Sequence, residues 1–132
     1  MIALDTNVLA RFLVQDDPEQ ARIANTVMDQ LTDAAPGFVG REVLVKLVWV
    51  LERTYGYPRA DIAAALDGLL SATELVIEAA DDVGVAVDRY RNDGFGFADL
   101  MIVAAARRAG ARELVTFDRK AARLPGVRLL TA

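Results

Sequence analysis

Short strand-like runs alternate along the chain with longer segments of helical periodicity. The runs are residues 2–4, 38–39, 75–77, 113–117 and 127–130. Apolar residues in the segments between them recur at the three- and four-residue spacing of an amphipathic helix. Strands separated by helices are joined by right-handed crossovers, which give a parallel sheet with helices on both faces. The sequence therefore predicts an α/β fold with a parallel sheet.

Six segments carry the helical pattern. They are residues 8–14, a segment that begins at Asp17 and Pro18, the segment around Lys46, and residues 59–72, 81–91 and 97–109. Asp17 is predicted to cap the second helix, because aspartate before a proline at the first helical position is a common start signal. Its predicted inward face carries Ile23, Val27 and Leu31. Residues 92–96 are predicted to form a loop that leads into the last helix.

The composition indicates one globular domain spanning residues 1–132. Apolar residues make up 54% of the chain and charged residues 26%, a balance typical of a chain that folds by itself. The longest apolar run is too short to cross a membrane. The first residues, MIALDTN, lack the pattern of a secretory signal, and no cysteine is present. We therefore expect a cytoplasmic protein with no membrane association.

The absence of histidine limits the chemistry that the chain can perform. It removes Ser-His and Cys-His catalysis and the usual zinc sites. Catalysis must then depend on carboxylates, hydroxyls, amines, or a metal ion held by oxygen. The net charge of −4 argues against a simple basic nucleic-acid clamp, but it does not exclude a nucleic-acid enzyme whose acidic pocket binds cations.

Three aspartates are predicted to lie near one edge of the sheet. Asp5 and Asp118 each follow a predicted strand directly, and Asp99 lies at the start of the helix before the strand that ends at Asp118. Parallel sheets bind ligands outside the carboxyl ends of their strands. Three converging carboxylates would select Mg²⁺ or Mn²⁺. Each aspartate taken alone is more typical of a turn or a helix cap than of a metal site. The three together make the two interpretations equally consistent with the sequence, so both stay open.

Lys46 stands alone in the apolar run 43–51, in a chain with only two lysines. At helical spacing Glu42, Lys46 and Arg53 share one stripe, and glutamate four residues before lysine is a favourable surface pair. On helix geometry alone, a solvent-exposed ion pair is the simpler interpretation.

Four segments together resemble the PIN-domain family, and within it the VapC-type toxins of bacterial toxin–antitoxin pairs. They are MIALDTNVL, EVLVKLVWVLERTYGY, FADLMIVAAARRAG and LVTFDRKAARLPGVRLL, which follow the family's order and spacing over nearly the whole chain. The resemblance implies a three-layer α/β/α sandwich and metal-dependent cleavage of RNA. It also implies a cognate antitoxin, a homodimer, and contact with DNA only through an antitoxin complex.

The resemblance assigns roles to individual residues. Its acidic metal ligands match Asp5, Asp99 and Asp118, with Mg²⁺ as the expected ion and Mn²⁺ as a substitute. Thr6 and Asn7 match a hydroxyl and an amide that orient the first aspartate. Thr116 is a further candidate to orient Asp118, although a strand threonine without a function is equally consistent with the pattern.

The chain departs from the family at one position. A glutamate is expected in the helix that contains WVL, and Lys46 stands in its place. The ammonium is expected near Asp5 and Asp99, where it would neutralise the acids and weaken divalent-ion binding. Glu42, one turn earlier, is a possible substitute, but its Cα would be about 6 Å away along the helix. Two explanations for lysine at this position stay open. One is selection against a harmful activity, and the other is that the natural protein is an inactive member of the family.

Two interpretations of function follow. The first is an endoribonuclease toxin, impaired by Lys46, with Arg11, Arg119 and Lys120 as candidate phosphate contacts or ordinary surface charges. The alternative is a catalytically inactive binding module that acts through antitoxin binding and dimerisation. A phosphatase or receiver-like domain ranks third, because DTNV lacks the second aspartate of a phosphatase and no strand-end lysine matches a receiver.

Overall fold

The structure, a computed structural model, describes residues 1–131. Its five strands are β1 (Ile2–Ala3), β2 (Gly37–Val39), β3 (Leu75–Ile77), β4 (Leu114–Thr116) and β5 (Val127–Leu129). Its six α-helices are α1 (Thr6–Val14), α2 (Pro18–Asp29), α3 (Arg41–Arg53), α4 (Arg59–Ser71), α5 (Ala80–Asp93) and α6 (Phe97–Arg108). A 3₁₀ turn, Ala121–Arg123, precedes β5. Within residues 1–131, no helix is long and apolar enough to cross a membrane.

The strands are parallel and the helices lie around them, which confirms the predicted α/β class. The central sheet has the order β1-β2-β3, with Ala3 paired to Phe38 and Phe38 paired to Val76. Strands β4 and β5 form a second parallel pair. Among the described residues these two ladders share no hydrogen-bonded pair, so β4 and β5 are not part of the hydrogen-bonded central sheet β1-β2-β3. Strand β1 is only two residues long, and its backbone bonds are directed to β2.

The buried side chains form one hydrophobic cluster to which helix α3 contributes four members. They are Leu44, Leu47, Val48 and Leu51, all nearly inaccessible to solvent and spaced three or four residues apart. Burying this face of α3 fixes the helix and leaves its other face, with Glu42, Lys46 and Trp49, exposed. Trp49 is therefore not part of the core, although it stands in an apolar run of the sequence.

Helix α2 begins as predicted, but its inward face differs from the expectation. The Asp17 carboxylate accepts a hydrogen bond from the Gln20 amide, and Pro18 occupies the first helical turn. The residues that α2 buries are Ala21, Ala24 and Met28. Ile23 is half exposed, so its predicted inward position is wrong. The alanine side chains are small, so α2 can approach α1 closely. The hydrophobic pattern of the sequence predicted instead that the larger Ile23 would face inward.

An interior network fixes the loop before α6. Arg59, the first residue of α4, donates hydrogen bonds to the backbone carbonyls of Tyr90 (3.0 Å) and Phe95 (2.7 Å). Its guanidinium also lies over the Tyr90 ring, 4.4 Å from the centroid. The buried Tyr90 hydroxyl donates to Glu52 at 2.7 Å, and burial followed by this bond raises the pKa of Tyr90. The network holds residues 94–96 and therefore the start of α6, where Asp99 lies.

Candidate active site

Asp5 is the N-cap residue of helix α1. It also follows β1, at the edge of the sheet where the sequence predicted it. Its backbone is extended, and its carboxylate accepts a hydrogen bond from the Thr6 amide at 2.7 Å. The Thr6 side chain is buried and its hydroxyl points to the Val43 carbonyl of α3, at 3.4 Å. Thr6 therefore orients Asp5 through its backbone and holds α1 against α3 through its side chain. Asn7 is exposed and follows in the first turn of α1.

Asp118 follows β4 and closes a tight turn. Its carboxylate accepts hydrogen bonds from the backbone amides of Lys120 (2.8 Å) and Ala121 (2.9 Å), which begin the 3₁₀ turn. The Thr116 hydroxyl in turn accepts a hydrogen bond from the Asp118 amide at 3.0 Å. Thr116 therefore positions the backbone of Asp118, and its predicted supporting role stays a prediction with this contact in its favour.

Asp99 lies in the first turn of α6, where the amide groups of the helix start favour a negative charge. The cap of this helix is Gly96, which has no side chain to contribute. A Cβ placed on Gly96 would lie 3.1 Å from the Asp99 Oδ2 atom. Space and not backbone conformation favours glycine here, because its φ of −67° is open to any residue while a Cβ would make the Asp99 carboxylate move slightly. Sequence reasoning missed Gly96, since the requirement arises only from the position of the Asp99 carboxylate.

The structure brings Asp99, Asp118 and Lys120 together. Burial raises the pKa of the Asp99 carboxyl, the negative charge of Asp118 raises it further, and the positive charge of Lys120 lowers it in part. A carboxyl group whose pKa is raised by burial and by a neighbouring like charge is typical of sites that bind a cation or handle protons. Of the three predicted acids, these two are electrostatically coupled.

The oxygen donors suit a hard divalent ion, but their arrangement does not. Asp5, Asp99 and Asp118 offer only carboxylate oxygens, which Mg²⁺ and Mn²⁺ prefer. Within residues 1–131, however, no three acidic side chains converge closely enough to hold one ion. Asp5 and Asp118 each use carboxylate oxygen to cap a backbone turn. The predicted metal site is therefore not pre-formed in this chain, and its ligands stay a prediction.

Lys46 lies between two surface hollows at the same end of the molecule. One is lined by Thr6 and Asn7 of α1, and the other by Ala98, the residue before Asp99. Lys46 is exposed and forms no ion pair among residues 1–131. A helical pair with Glu42 was the simpler interpretation of the sequence, and it is wrong. The ammonium is instead free beside the residues that follow Asp5 and precede Asp99.

Glu42 and Arg11 are two further residues that the sequence analysis named as candidates. Glu42 is exposed and lines the same hollow as Ala98, one turn before Lys46. Arg11 is engaged, since it donates to Asp16 (3.0 Å) and to the Tyr55 hydroxyl (3.1 Å). Desolvation lowers the pKa of Arg11, but the hydrogen bond to Asp16 and the nearby negative charges together outweigh it, so the pKa is raised.

Arg119 and Lys120 are exposed beside Asp118. Lys120 is near enough to Asp99 to lower its pKa in part. Lys120 is therefore the better placed of the predicted phosphate contacts, and Arg11 has a structural partner of its own.

Comparison with known proteins now decides the family. The profile of the PIN domain matches residues 2–127, almost the whole chain. The chain belongs to the PIN-domain family. A VapC ribonuclease of Aquifex aeolicus (strain VF5) is 28% identical over 120 residues, which cover 91% of this chain and 89% of that protein. This PIN domain therefore carries its coupled acids, Asp99 and Asp118, in a fold that one similar protein uses as a ribonuclease.

Proposed function

We propose that this PIN domain is an endoribonuclease toxin of the VapC type that hydrolyses phosphodiester bonds of RNA. The observation that carries the proposal is the coupling of Asp99 to Asp118 beside Lys120 in a PIN domain. A half-buried carboxylate beside a second carboxylate and a free ammonium suits a phosphodiester whose reaction needs cationic stabilisation. The VapC ribonuclease similarity over 91% of the chain supports RNA as the substrate.

We further propose that Lys46 impairs the activity of this chain. PIN nucleases depend on divalent metals in general, and Asp5, Asp99 and Asp118 are the proposed ligands of Mg²⁺, with Mn²⁺ able to substitute. The family's additional acid would stand at position 46, so lysine changes the local charge by two units. Since the three acids also do not converge, we derive no catalytic step through a metal ion for the chain as it stands. Glu42 is one turn away on α3 and is a poor substitute.

The chain's own residues still suggest how RNA would be held. Lys120 and Arg119 would contact the phosphate nearest Asp118, and Lys46 would contact the phosphate nearest Asp99. Thr116 would keep the Asp118 backbone in place, and Thr6 and Asn7 would do the same for the Asp5 turn. A proton taken from the attacking water would go to a carboxylate, because the sequence contains no histidine.

The partners that we propose for this chain are those expected of a VapC-type toxin. They are a cognate antitoxin protein that neutralises the toxin, a second copy of the chain in a homodimer, and DNA only through the antitoxin complex. We propose a cytoplasmic location, where such RNA substrates occur.

The test compares three proteins: the chain itself, Lys46→Glu and Lys46→Gln. Each is incubated with single-stranded RNA in Mn²⁺, with and without chelator, and divalent-ion binding is followed separately by calorimetry. We expect cleavage and tight ion binding from Lys46→Glu alone, because Lys46→Gln removes the positive charge without adding a ligand. Cleavage by Lys46→Gln at the same rate would mean that the lysine charge, and not a missing carboxylate, blocks the activity.

A catalytically inactive binding module is the second candidate. The free Lys46 ammonium and the separation of the three acids favour it. If neither the chain nor Lys46→Glu cleaves RNA, and both form the same complex with an antitoxin, the binding module replaces the nuclease.

A further inference from the structure

The first residue of helix α3, Arg41, is held by three other elements of the fold. Its backbone amide donates to the carboxylate of Glu78, which directly follows β3, at 2.8 Å. Its guanidinium donates to the Met101 carbonyl of α6 at 2.9 Å and lies 3.9 Å from the Asp82 carboxylate of α5. Arg41 therefore joins the start of α3 to α5, to α6 and to the end of β3.

The start of α3 depends on these contacts because the helix has no cap of its own. Its N-cap residue is Gly40, which has no side chain to accept from the first helical amides. The Glu78 carboxylate takes that place from a different element. The side chains of Arg41 and Asp82 are 19% and 21% exposed, so solvent screens their attraction less than that of a fully exposed pair.

The charge of Arg41 is used within the fold and is not offered to a ligand. Asp82 is the ion-pair partner of Arg41, and it is also the partner of Arg108 near the end of α6. One carboxylate of α5 therefore lies between a guanidinium of α3 and a guanidinium of α6. This arrangement holds helices together, and it is not that of a binding site.

The turn before α5 carries backbone strain at the point where it meets Arg41. Ala79, between Glu78 and Asp82, has a φ of 53°, in the left-handed region that alanine rarely adopts. Such a conformation persists only where surrounding contacts hold it. The Glu78 amide donates to the Val39 carbonyl at 3.0 Å, and both acids contact Arg41. The strained turn is therefore the one that places the two carboxylates against Arg41.

Apolar packing alone defines the position of α3 along α6 loosely. The two helices leave a groove of about 430 Å³ between them, and α6 lines it partly with the small residues Ala98 and Ala105. Small side chains form no ridge that would hold the register of a neighbouring helix. Within residues 1–131, the Arg41–Met101 hydrogen bond is the one polar side-chain contact that joins α3 directly to α6. Because a hydrogen bond is directional, it fixes where along α6 the start of α3 lies.

We propose that Arg41 is a positioning residue that fixes α3 against α6 and so sets the separation of position 46 from Asp99. This inference rests on the proposed function, because it concerns how the site of that reaction is assembled. Position 46 follows Arg41 on α3, and Asp99 precedes Met101 on α6. Lys46 and Ala98 line the same groove between the helices, so a shift of α3 along α6 changes the distance from position 46 to the acid.

The first part of the experiment measures the spacing of the helices without reference to activity. The chain has no cysteine, so Trp49→Cys on α3 and Ile102→Cys on α6 place one nitroxide spin label on each helix. Both positions are accessible, with exposed fractions of 56% and 52%. The dipolar broadening of the electron paramagnetic resonance spectrum gives the label distances, and dilution with unlabelled chain removes pairs between molecules. The labelled chain is compared with its Arg41→Met, Arg41→Lys and Arg89→Met versions.

The second part measures the cleavage of single-stranded RNA in the Lys46→Glu background, with the same changes at positions 41 and 89. Arg89→Met is the matched control in both parts. Arg89 is an arginine of α5 whose ion-pair partner, Asp93, lies on its own helix at 3.4 Å, so this pair does not join two elements. The dependence of rate on RNA concentration separates kcat from KM.

We expect one narrow set of label distances in the chain and in Arg89→Met, and a broader or shifted set in Arg41→Met. In the Lys46→Glu background, Arg41→Met should lower kcat by roughly 10- to 100-fold, up to the loss typical of a 1 Å misplacement, and leave KM nearly unchanged. Arg41→Lys should recover part of kcat, because an ammonium keeps the charge beside Asp82 without the planar fork. Arg89→Met should change neither quantity.

Label distances that are the same in Arg41→Met as in the chain would overturn the inference, whatever the cleavage assay shows. A higher KM with an unchanged kcat would also overturn it, since Arg41 would then contact RNA, and the proposed function would stand. If Lys46→Glu cleaves no RNA while Arg41 is in place, the proposed function fails and the inference about its site fails with it. If Arg41→Met does not fold, the comparison of Arg41→Lys with Arg89→Met decides by the same criteria.

Discussion

The interior network and the acidic rim are two polar regions with opposite arrangements of charge. In the interior network, Arg59 lies over the Tyr90 ring and donates to two carbonyls, and the Tyr90 hydroxyl donates to Glu52. In the acidic rim, defined by Asp5, Asp99, Asp118 and Lys46, two like charges lie close to each other and the ammonium has no ion pair among residues 1–131. The polar groups of the interior network therefore have partners of complementary charge or hydrogen-bonding capacity, whereas the charges of the acidic rim are not paired with opposite charges.

The difference separates stability from function. Buried polar groups whose hydrogen bonds are all made stabilise one conformation, and removing one partner leaves another unsatisfied. Unmatched charges near the surface contribute little to stability, and they attract charged ligands. We therefore expect changes in the interior network to lower the free energy of unfolding, and changes in the acidic rim to alter RNA cleavage or protonation.

The largest expected effect is on cleavage, in the Lys46→Glu background where activity is expected. There, Asp99→Asn should lower the rate of RNA cleavage by at least about 100-fold, since even residues that only support a metal ligand contribute 10- to 100-fold. The free energy of unfolding in chelator should change by no more than roughly 0.5 kcal/mol. Cleavage assays and urea denaturation of the same preparations measure the two quantities.

The matched control for that change is Asp93→Asn, an exposed acid of α5 paired with Arg89. It should leave the rate of cleavage unchanged. A large loss of stability with full activity in the Asp99 variant would reverse the comparison between the two regions.

The second effect concerns stability. Arg59→Met should lower the free energy of unfolding by about 2–3 kcal/mol, because two carbonyl acceptors lose a charged donor and Tyr90 loses its stacked cation. Arg59→Lys should recover part of this loss, since an ammonium keeps the charge without the planar fork. Arg53→Met, at an exposed position of α3, is the control and should change stability by less than roughly 0.5 kcal/mol. Equal stability of the Arg59 and Arg53 variants would contradict the role of the network.

The same contrast explains what could be predicted from the sequence. The strands and helices were predicted to within a few residues, because periodicity and caps such as Asp17 are local signals. The coupling of Asp99 to Asp118 was anticipated from their places at strand and helix ends. The separation of β4 and β5 from the central sheet was not, because it depends on strand pairing, which no local pattern of the sequence indicates.

Side-chain surroundings were the least predictable feature. Tryptophan on an apolar helix is usually buried, yet α3 buries a different face and leaves Trp49 exposed. The spacing of Glu42 and Lys46 indicated an ion pair that is absent among the described residues. The interior network joins residues 31 to 38 positions apart in sequence, so no local pattern marks it.

A smaller effect is expected from Gly96→Ala, which alters the acidic rim without removing a charge. The new Cβ would lie 3.1 Å from the Asp99 Oδ2 atom, so the carboxylate must move by a few tenths of an ångström. In the Lys46→Glu background the rate of RNA cleavage should fall by roughly 3- to 10-fold, less than the 100-fold typical of a 1 Å misplacement.

Gly68→Ala is the control for this change, because α4 has open space around Gly68. Alanine there should stabilise the helix by about 0.5–1 kcal/mol and leave cleavage unchanged. If Gly96→Ala and Gly68→Ala have the same activity, the close approach of Gly96 to Asp99 has no functional consequence.

The smallest expected effect is on the pH dependence of stability in chelator. The pKa of Asp99 in the folded protein is raised above its ordinary value of 3.8, so the folded state binds more protons than the unfolded chain between those two pKa values. The contribution of Asp99 to stability is therefore lost as the pH rises through this range. Asp118→Asn removes the like charge and keeps an oxygen to accept from Lys120 and Ala121, so it should lower the pKa of Asp99 and reduce the loss.

Carboxyl NMR titration measures the pKa of Asp99, and urea denaturation from pH 3.5 to 7 measures stability. The two proteins should differ by less than roughly 0.5 kcal/mol at any pH. Asp88→Asn, at an exposed site on α5, should leave the pKa of Asp99 unchanged. An unchanged or higher pKa of Asp99 in the Asp118 variant would mean that the two acids are not coupled. The acidic rim would then differ from the interior network only in its exposure, and not in how its charges are matched.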